Sequence, residues 1–312
     1  MKWKILSLAP LIACCGLGAC VEEDALSPPS PDEGETGKVI EYVTVKAEDV
    51  FPDKDSRTDF ELAEGKLTFR WAEGDKIGIF PTSEGDSQVA LSIMSGAGTN
   101  SAKFTGGGWA LRDDMTYVAY YPYYLEATNS DILFSYEGQH QTGNASLAHL
   151  GTHDFMATQP TRAVDGALDF AFEHLNSFMR LVLTVPEAMK FTSATLECEE
   201  AIFAKSARLN LLGPTYSYAQ AEVTNQLTLQ LSEVVTSEAG QTVVLYMHLF
   251  PLDMTNHTVK VSLLGSNQHR YEGTLQPKQM KPGRAYNLTS TLVDVTLNAT
   301  VTAPSFGETN EI

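Results

Sequence analysis

This sequence predicts an all-β fold of antiparallel β-sandwiches. From Lys38 onward the apolar residues recur with a period of two, which puts them on one face of a strand. A helical stripe of period 3.6 is nearly absent, and Ala145 to His149 could form a single turn at most. The periodic runs are short and punctuated by glycine and proline, as in sandwiches rather than strand–helix alternations.

Val43, Val45 and Ala47 alternate with Thr44, Lys46 and Glu48. Leu67, Phe69 and Trp71 alternate with Thr68 and Arg70, and the turn Glu73-Gly74-Asp75 leads to Ile77 and Ile79. Leu168, Phe170, Phe172 and His174 form the next stripe, followed by Met179, Leu181, Leu183 and Val185. Leu227, Leu229 and Leu231, then Val259, Val261 and Leu263, repeat the pattern. Val293, Val295, Leu297, Ala299 and Val301 close it. Such one-sided alternation marks sheets with one face on a core. Val243 to Phe250 is apolar on both faces, so it reads as a central strand or one covered by another element. One sandwich takes on the order of 100–150 residues. Two fit in series, residues 38–175 and 176–312, with the softest boundary near Asn176.

The N-terminus carries a different signal. Lys2 and Lys4 precede the short apolar run Ile5 to Ala13, and Leu17-Gly18-Ala19-Cys20 ends it. That is the form of a lipoprotein signal over residues 1–19, and the run is too short for a membrane span. Cys20 is the lipidation candidate, because a thiolate is the nucleophile that takes the lipid. A second box ends at Cys14, but the acidic run Glu22-Glu23-Asp24 starts just after Cys20. Residues 20–37 hold three prolines, two glycines, six acidic residues and no basic one, the composition of a disordered tether.

The net charge of −18 argues against nucleic acid as a partner, since phosphates repel an acidic surface. After cleavage at Cys20, Cys198 is the one free thiol, and its place on a strand face reads as a small buried apolar residue. His149 and His153 stand four apart before Asp154, yet Gly151 lies between them and spacing supplies no third ligand. His174 on an apolar face reads as a hydrogen-bonded core histidine. Tyr117, Tyr120, Tyr121, Tyr123 and Tyr124 around Pro122 could stack on sugars, but alternate members should pack inward. Gly106-Gly107-Gly108-Trp109 is a turn, not a phosphate site. No nucleophile–base, phosphate-loop or zinc-protease pattern occurs, so the reading is not an enzyme, with no cofactor and no metal.

Three segments in order resemble the fimbrillin-like (Mfa-like) family of Bacteroidales surface lipoproteins, the type V pilin group. They are Phe69 to Phe80 (FRWAEGDKIGIF), Tyr117 to Tyr123 (YVAYYPY) and Leu168 to Leu175 (LDFAFEHL). The acidic run after Cys20 likewise resembles the surface-export signal of such lipoproteins. The resemblance implies two transthyretin-like sandwiches, a structural subunit of surface fimbriae (stalk, tip or anchor) and a location on the cell surface, lipid-anchored to the outer membrane or fimbrial. Its partners would be other fimbrial subunits, the outer membrane through lipid on Cys20, and a host or bacterial surface receptor.

In such pilins a trypsin-like protease cuts beyond the first strand, and a strand from the next subunit fills the vacated groove. Carried over, residues 38–47 would be the first strand, and Arg57, with Lys54 second, the cleavage candidate. The donor candidates are Val293, Val295, Leu297, Ala299 and Val301, unless that segment is the last strand of its own domain. Four or five such side chains at roughly 1.5–3 kcal/mol each give about 6–15 kcal/mol before ordering costs. The competing reading is a surface lipoprotein that binds glycan or host protein without polymerising; a surface hydrolase ranks last.

Overall fold

The computed structural model describes residues 38–48, 51–52, 67–82, 87–107 and 111–296. Cys20, Lys54, Arg57, Leu297, Ala299 and Val301 lie outside them. The described chain is all-β. It opens with β1 (Val39–Ile40), β2 (Val43–Ala47), β3 (Phe51–Pro52), β4 (Lys76–Pro81), β5 (Val89–Ser95), β6 (Ser101–Thr105) and β7 (Leu111–Arg112). Next come β8 (Thr116–Tyr121), β9 (Ile132–Ser135), β10 (His140–Thr142), β11 (Met156–Thr158), β12 (Thr161–Arg162) and β13 (Asp169–His174). They are followed by β14 (Ser177–Thr184), β15 (Lys190–Glu197), β16 (Phe203–Asn210), β17 (Ser217–Thr224), β18 (Gln226–Val235) and β19 (Thr242–Leu249). The last are β20 (Lys260–Gly265), β21 (Arg270–Thr274), β22 (Arg284–Thr291) and β23 (Val293–Asp294).

An eight-stranded sheet runs β11-β13-β2-β6-β5-β4-β8-β12, and β11 also pairs with β8. That extra pairing closes the sheet on itself, so its strands have few free edges. Inside sit Val43, Val45, Trp71, Phe104, Phe170 and Phe172. The period of two does not reveal strand direction. Most pairings are antiparallel, but β2 runs parallel to β13, as do β14 to β22, β10 to β18 and β3 to β22.

A second core lies between the four-stranded sheet β19-β14-β22-β3 and the six-stranded sheet β10-β18-β15-β20-β21-β23. It takes Leu181, Leu183 and Leu245 from one sheet and Leu196, Leu229 and Val261 from the other. Its stripe begins just after Asn176, while that of the first core ends just before it. Three short strands nevertheless cross that point, with β3, β9 and β10 pairing with β22, β16 and β18. A third, aromatic cluster also draws on both halves, with Phe134 stacked on Phe155 at 4.3 Å beside Tyr120 and Leu209.

One segment departs from the sequence reading. Leu67 to Trp71 forms no regular strand. The backbone of Trp71 instead bonds the turn at Gly98–Thr99, and its ring is buried in the first core. The run Val243–Phe250 supplies most of β19, which is an outer strand covered by another segment, the second of the two places the sequence allowed. Gln139 donates to His248 O and accepts from His248 N–H; Gln141 does the same with Val244 O and Tyr246 N–H. Asn144 pairs with Thr242 O and Val244 N–H. These amides replace a neighbouring strand and shield the edge. Gln139→Ala should therefore cost about 1–3 kcal/mol by leaving buried groups of His248 unpaired. Urea unfolding measures this; a loss below about 0.5 kcal/mol, the scatter of surface changes, would show that the edge does not need the amide.

Candidate functional site

The segment from Val43 to Glu48 occupies a seat built for a strand. Val43, Val45 and Ala47 are fully buried, while Lys46 faces out. On one side β2 pairs with β6 in the register Val45↔Ala102, and on the other with β13 in the register Val45↔Phe170. Thr44 N–H donates to Leu168 O and Ala47 N–H to Asn100 O, so the ladder is bonded on both flanks. Without β2, the facing edges of β6 and β13 would be unpaired above an apolar floor that includes Phe104 and Phe172.

The exit of this strand is held by a buried polar cluster. His174, at the end of β13, meets Asp154 Oδ1 through Nδ1 at 2.8 Å and Glu48 O through Nε2 at 2.8 Å. Both partners are acceptors, so both ring nitrogens must donate and the imidazole is a cation. Burial pushes its pKa down, but the Asp154 carboxylate and the Glu48 carbonyl raise it above the ordinary histidine range. Asn176 joins the cluster, donating to His153 O at 2.8 Å and to Asp154 Oδ1 at 3.3 Å. Beyond it His248 donates from Nε2 to Leu150 O and turns Nδ1 to the Asn176 amide, the arrangement of a neutral ring. Burial lowers its pKa to about 4.

His149 and His153 flank a 3₁₀ turn at Leu150–His153, one residue beyond the turn that the sequence suggested. Each spends Nε2 on a different carbonyl, Tyr246 O and Glu137 O, so they do not converge. Tyr117, Tyr120 and Tyr121 are buried, Tyr123 is half-buried and Tyr124 is exposed. Cys198 is buried at the rim of the second core. Two groups of described residues bring three metal-capable side chains together: Cys198, Glu200 and His257, and Glu187, His269 and Asp294.

Of the donor candidates, Val293 and Val295 are described. β23 is the outer strand of its sheet, pairing with β21 through Tyr271↔Asp294 and Glu272↔Val293. Val293 is 58% and Val295 38% exposed, so neither is spent on a core. Sequence reasoning missed the Asp154–His174–Asn176–His248 cluster and the Gln139/Gln141 clip. The clip left no trace beyond a run of polar residues; the cluster left one, His174 read as a hydrogen-bonded core histidine, while its partners come from separate loops and strands.

The fimbrillin-like family matches residues 62–304. No curated protein matches the chain. Among solved structures, a candidate cell adhesion protein from Bacteroides ovatus aligns at 15% identity and TM-score 0.54, over 84% of this chain and 97% of that one. Another from Bacteroides uniformis aligns at 16% identity and TM-score 0.47, over 80% and 92%. A fimbrial protein from Bacteroides ovatus aligns at 12% identity and TM-score 0.39, over 82% and 49%.

The two histidines titrate in opposite senses. His174, with its raised pKa, adds stability that is full below about pH 6.5 and lost as pH rises through its folded value. His248, with its lowered pKa, adds stability that is present above about pH 6.5 and lost as pH falls toward about 4. Urea unfolding of the parent, His174→Gln and His248→Gln across this range should show the first gap closing with rising pH and the second with falling pH. Gaps independent of pH would contradict both assignments. The family match covers more than half of the sequence over the same strands, and the chain belongs to the fimbrillin-like family.

Proposed function

We propose that this chain is a structural subunit of surface fimbriae, exported as a lipoprotein through Cys20 and assembled by strand addition. Membership of the fimbrillin-like family supports a fimbrial-type protein at the cell surface. The observation that carries the finer reading is the place of β2. It is the N-terminal strand of the eight-stranded sheet, yet it sits between β13 and β6 in a closed ring of pairings. It also precedes the polar segment that holds Lys54 and Arg57. A cut at Arg57 would leave β2 attached through non-covalent contacts alone, and its loss would open two strand edges at once.

The segment from Val293 supplies a fitting donor. Val293 and Val295 match the spacing of Val43, Val45 and Ala47, and they are exposed where they stand. In this reading the chain is two sandwiches divided near Asn176, with the seat of β2 in the first and the donor at the end of the second. Three of the five tyrosines around Pro122 are buried, which favours packing over a glycan platform.

Limited trypsin digestion of the protein without residues 1–19 tests the proposal. Cleavage at Arg57 should convert monomers into heat-resistant oligomers, and deletion of residues 293–312 should block the conversion. Cut protein that stays monomeric at high concentration, with the β2 fragment released, would refute assembly through this seat.

A further inference from the structure

We propose that Cys198, Glu200 and His257 form a zinc site. The Cys198 sulfur, a Glu200 carboxylate oxygen and a His257 ring nitrogen all lie within 4.8 Å of one another. They come from two chain segments, the turn that leaves β15 and the turn that precedes β20. Both backbones are pinned, Cys198 N–H donating to Asn225 O at 3.0 Å and His257 N–H to Met254 O at 3.0 Å. Cys198 forms no disulfide.

The state of His257 points to a ligand. Its Nδ1 is closed off from solvent and has no hydrogen-bond partner in line. Glu200 lies against that same nitrogen as an ion-pair contact. Nitrogen and oxygen are therefore close without the N–H···O alignment of a hydrogen bond. The carboxylate thus holds the imidazole beside the sulfur, and the three donor atoms stand in one group. A bound cation would replace the proton between that nitrogen and the carboxylate.

The donor set selects the metal. One thiolate, one imidazole and one carboxylate suit zinc, whose bonds to sulfur, nitrogen and oxygen run about 2.0–2.3 Å in a tetrahedron. The thiol proton passes to solvent as the metal binds. Glu200 is exposed and His257 half-buried, so a water can take the fourth position. Occupied, the site would tie the end of β15 to the start of β20 at the rim of the second core.

The test uses the chain from residue 20 in a Cys20→Ala background, which leaves Cys198 as its sole thiol. Zinc is measured by metal analysis after dialysis, and cobalt(II) is titrated as a spectroscopic probe. One equivalent of zinc and a thiolate-to-cobalt charge-transfer band are expected. Cys198→Ser should abolish the band, and His257→Ala should weaken zinc by at least the roughly tenfold that loss of an outer-shell partner costs. Glu200→Gln, on an exposed turn, tests the site without disturbing the core and should weaken zinc with the metal-free melting temperature unchanged. Absence of the band, or equal zinc affinity in the parent and in Glu200→Gln and His257→Ala, would overturn the proposal.

Discussion

The first half of this protein depends on the seat of β2 between β6 and β13. A β-sheet closed by the pairing of β11 with both β13 and β8 has no spare edge there, so each stave is needed to keep its neighbours paired. β2 contributes two fully buried valines, roughly 1.5–3 kcal/mol each, and hydrogen bonds on both flanks. Trp71, Phe104 and Phe172 stand in the core that it completes. β2 is the N-terminal strand of its sheet, and only a strand with the same alternation would fit its seat. The charged His174–Asp154 pair holds the carbonyl of Glu48, and so fixes where the strand leaves the sheet.

The sheets around the second core meet the same edge problem in another way. The outer edge of β19 is covered by the amides of Gln139, Gln141 and Asn144, which offer a donor and an acceptor in the spacing of a backbone. The Gln139 to Asn144 segment does two jobs, since β10 within it also pairs with β18 of the facing sheet. Removing it would uncover one sheet and shorten the other. β23 shows the opposite treatment. Two residue pairs, the Val295–Arg270 backbone bond and the His269–Asp294 contact hold it, and its valines face outward.

How much of this the sequence revealed follows from which forces act locally. Val43, Val45 and Ala47, the stripe Leu168 to His174 and the leucines of β14 and β18 declare their strands, because burial of one face imposes a period of two. Strand direction and neighbour choice were not legible, since a parallel β2/β13 pair and an antiparallel one bury the same residues. Leu67 to Trp71 carries the alternation of a strand but builds no ladder, because packed aromatic rings and the backbone bonds of Trp71 to the Gly98–Thr99 turn anchor it instead. Asp154, Asn176 and His248 are far apart in sequence, and only the packing of β13 against the second half brings them together. Of the candidate site itself, the strand and its inward residues were readable; the charged pair that holds its exit was not.

A reversible lock on β2 measures the central claim most directly. Thr44 and Lys103 are cross-strand partners, and Thr44 N–H is committed to the β13 side, so they form a non-hydrogen-bonded pair with Cα atoms about 4.5 Å apart. That spacing accepts a disulfide. A Thr44→Cys/Lys103→Cys protein, oxidised and then cut at Arg57, should remain monomeric, and reduction should release its assembly. If the oxidised, cut protein assembles as readily as the reduced one, β2 stays in place during assembly and the account is wrong.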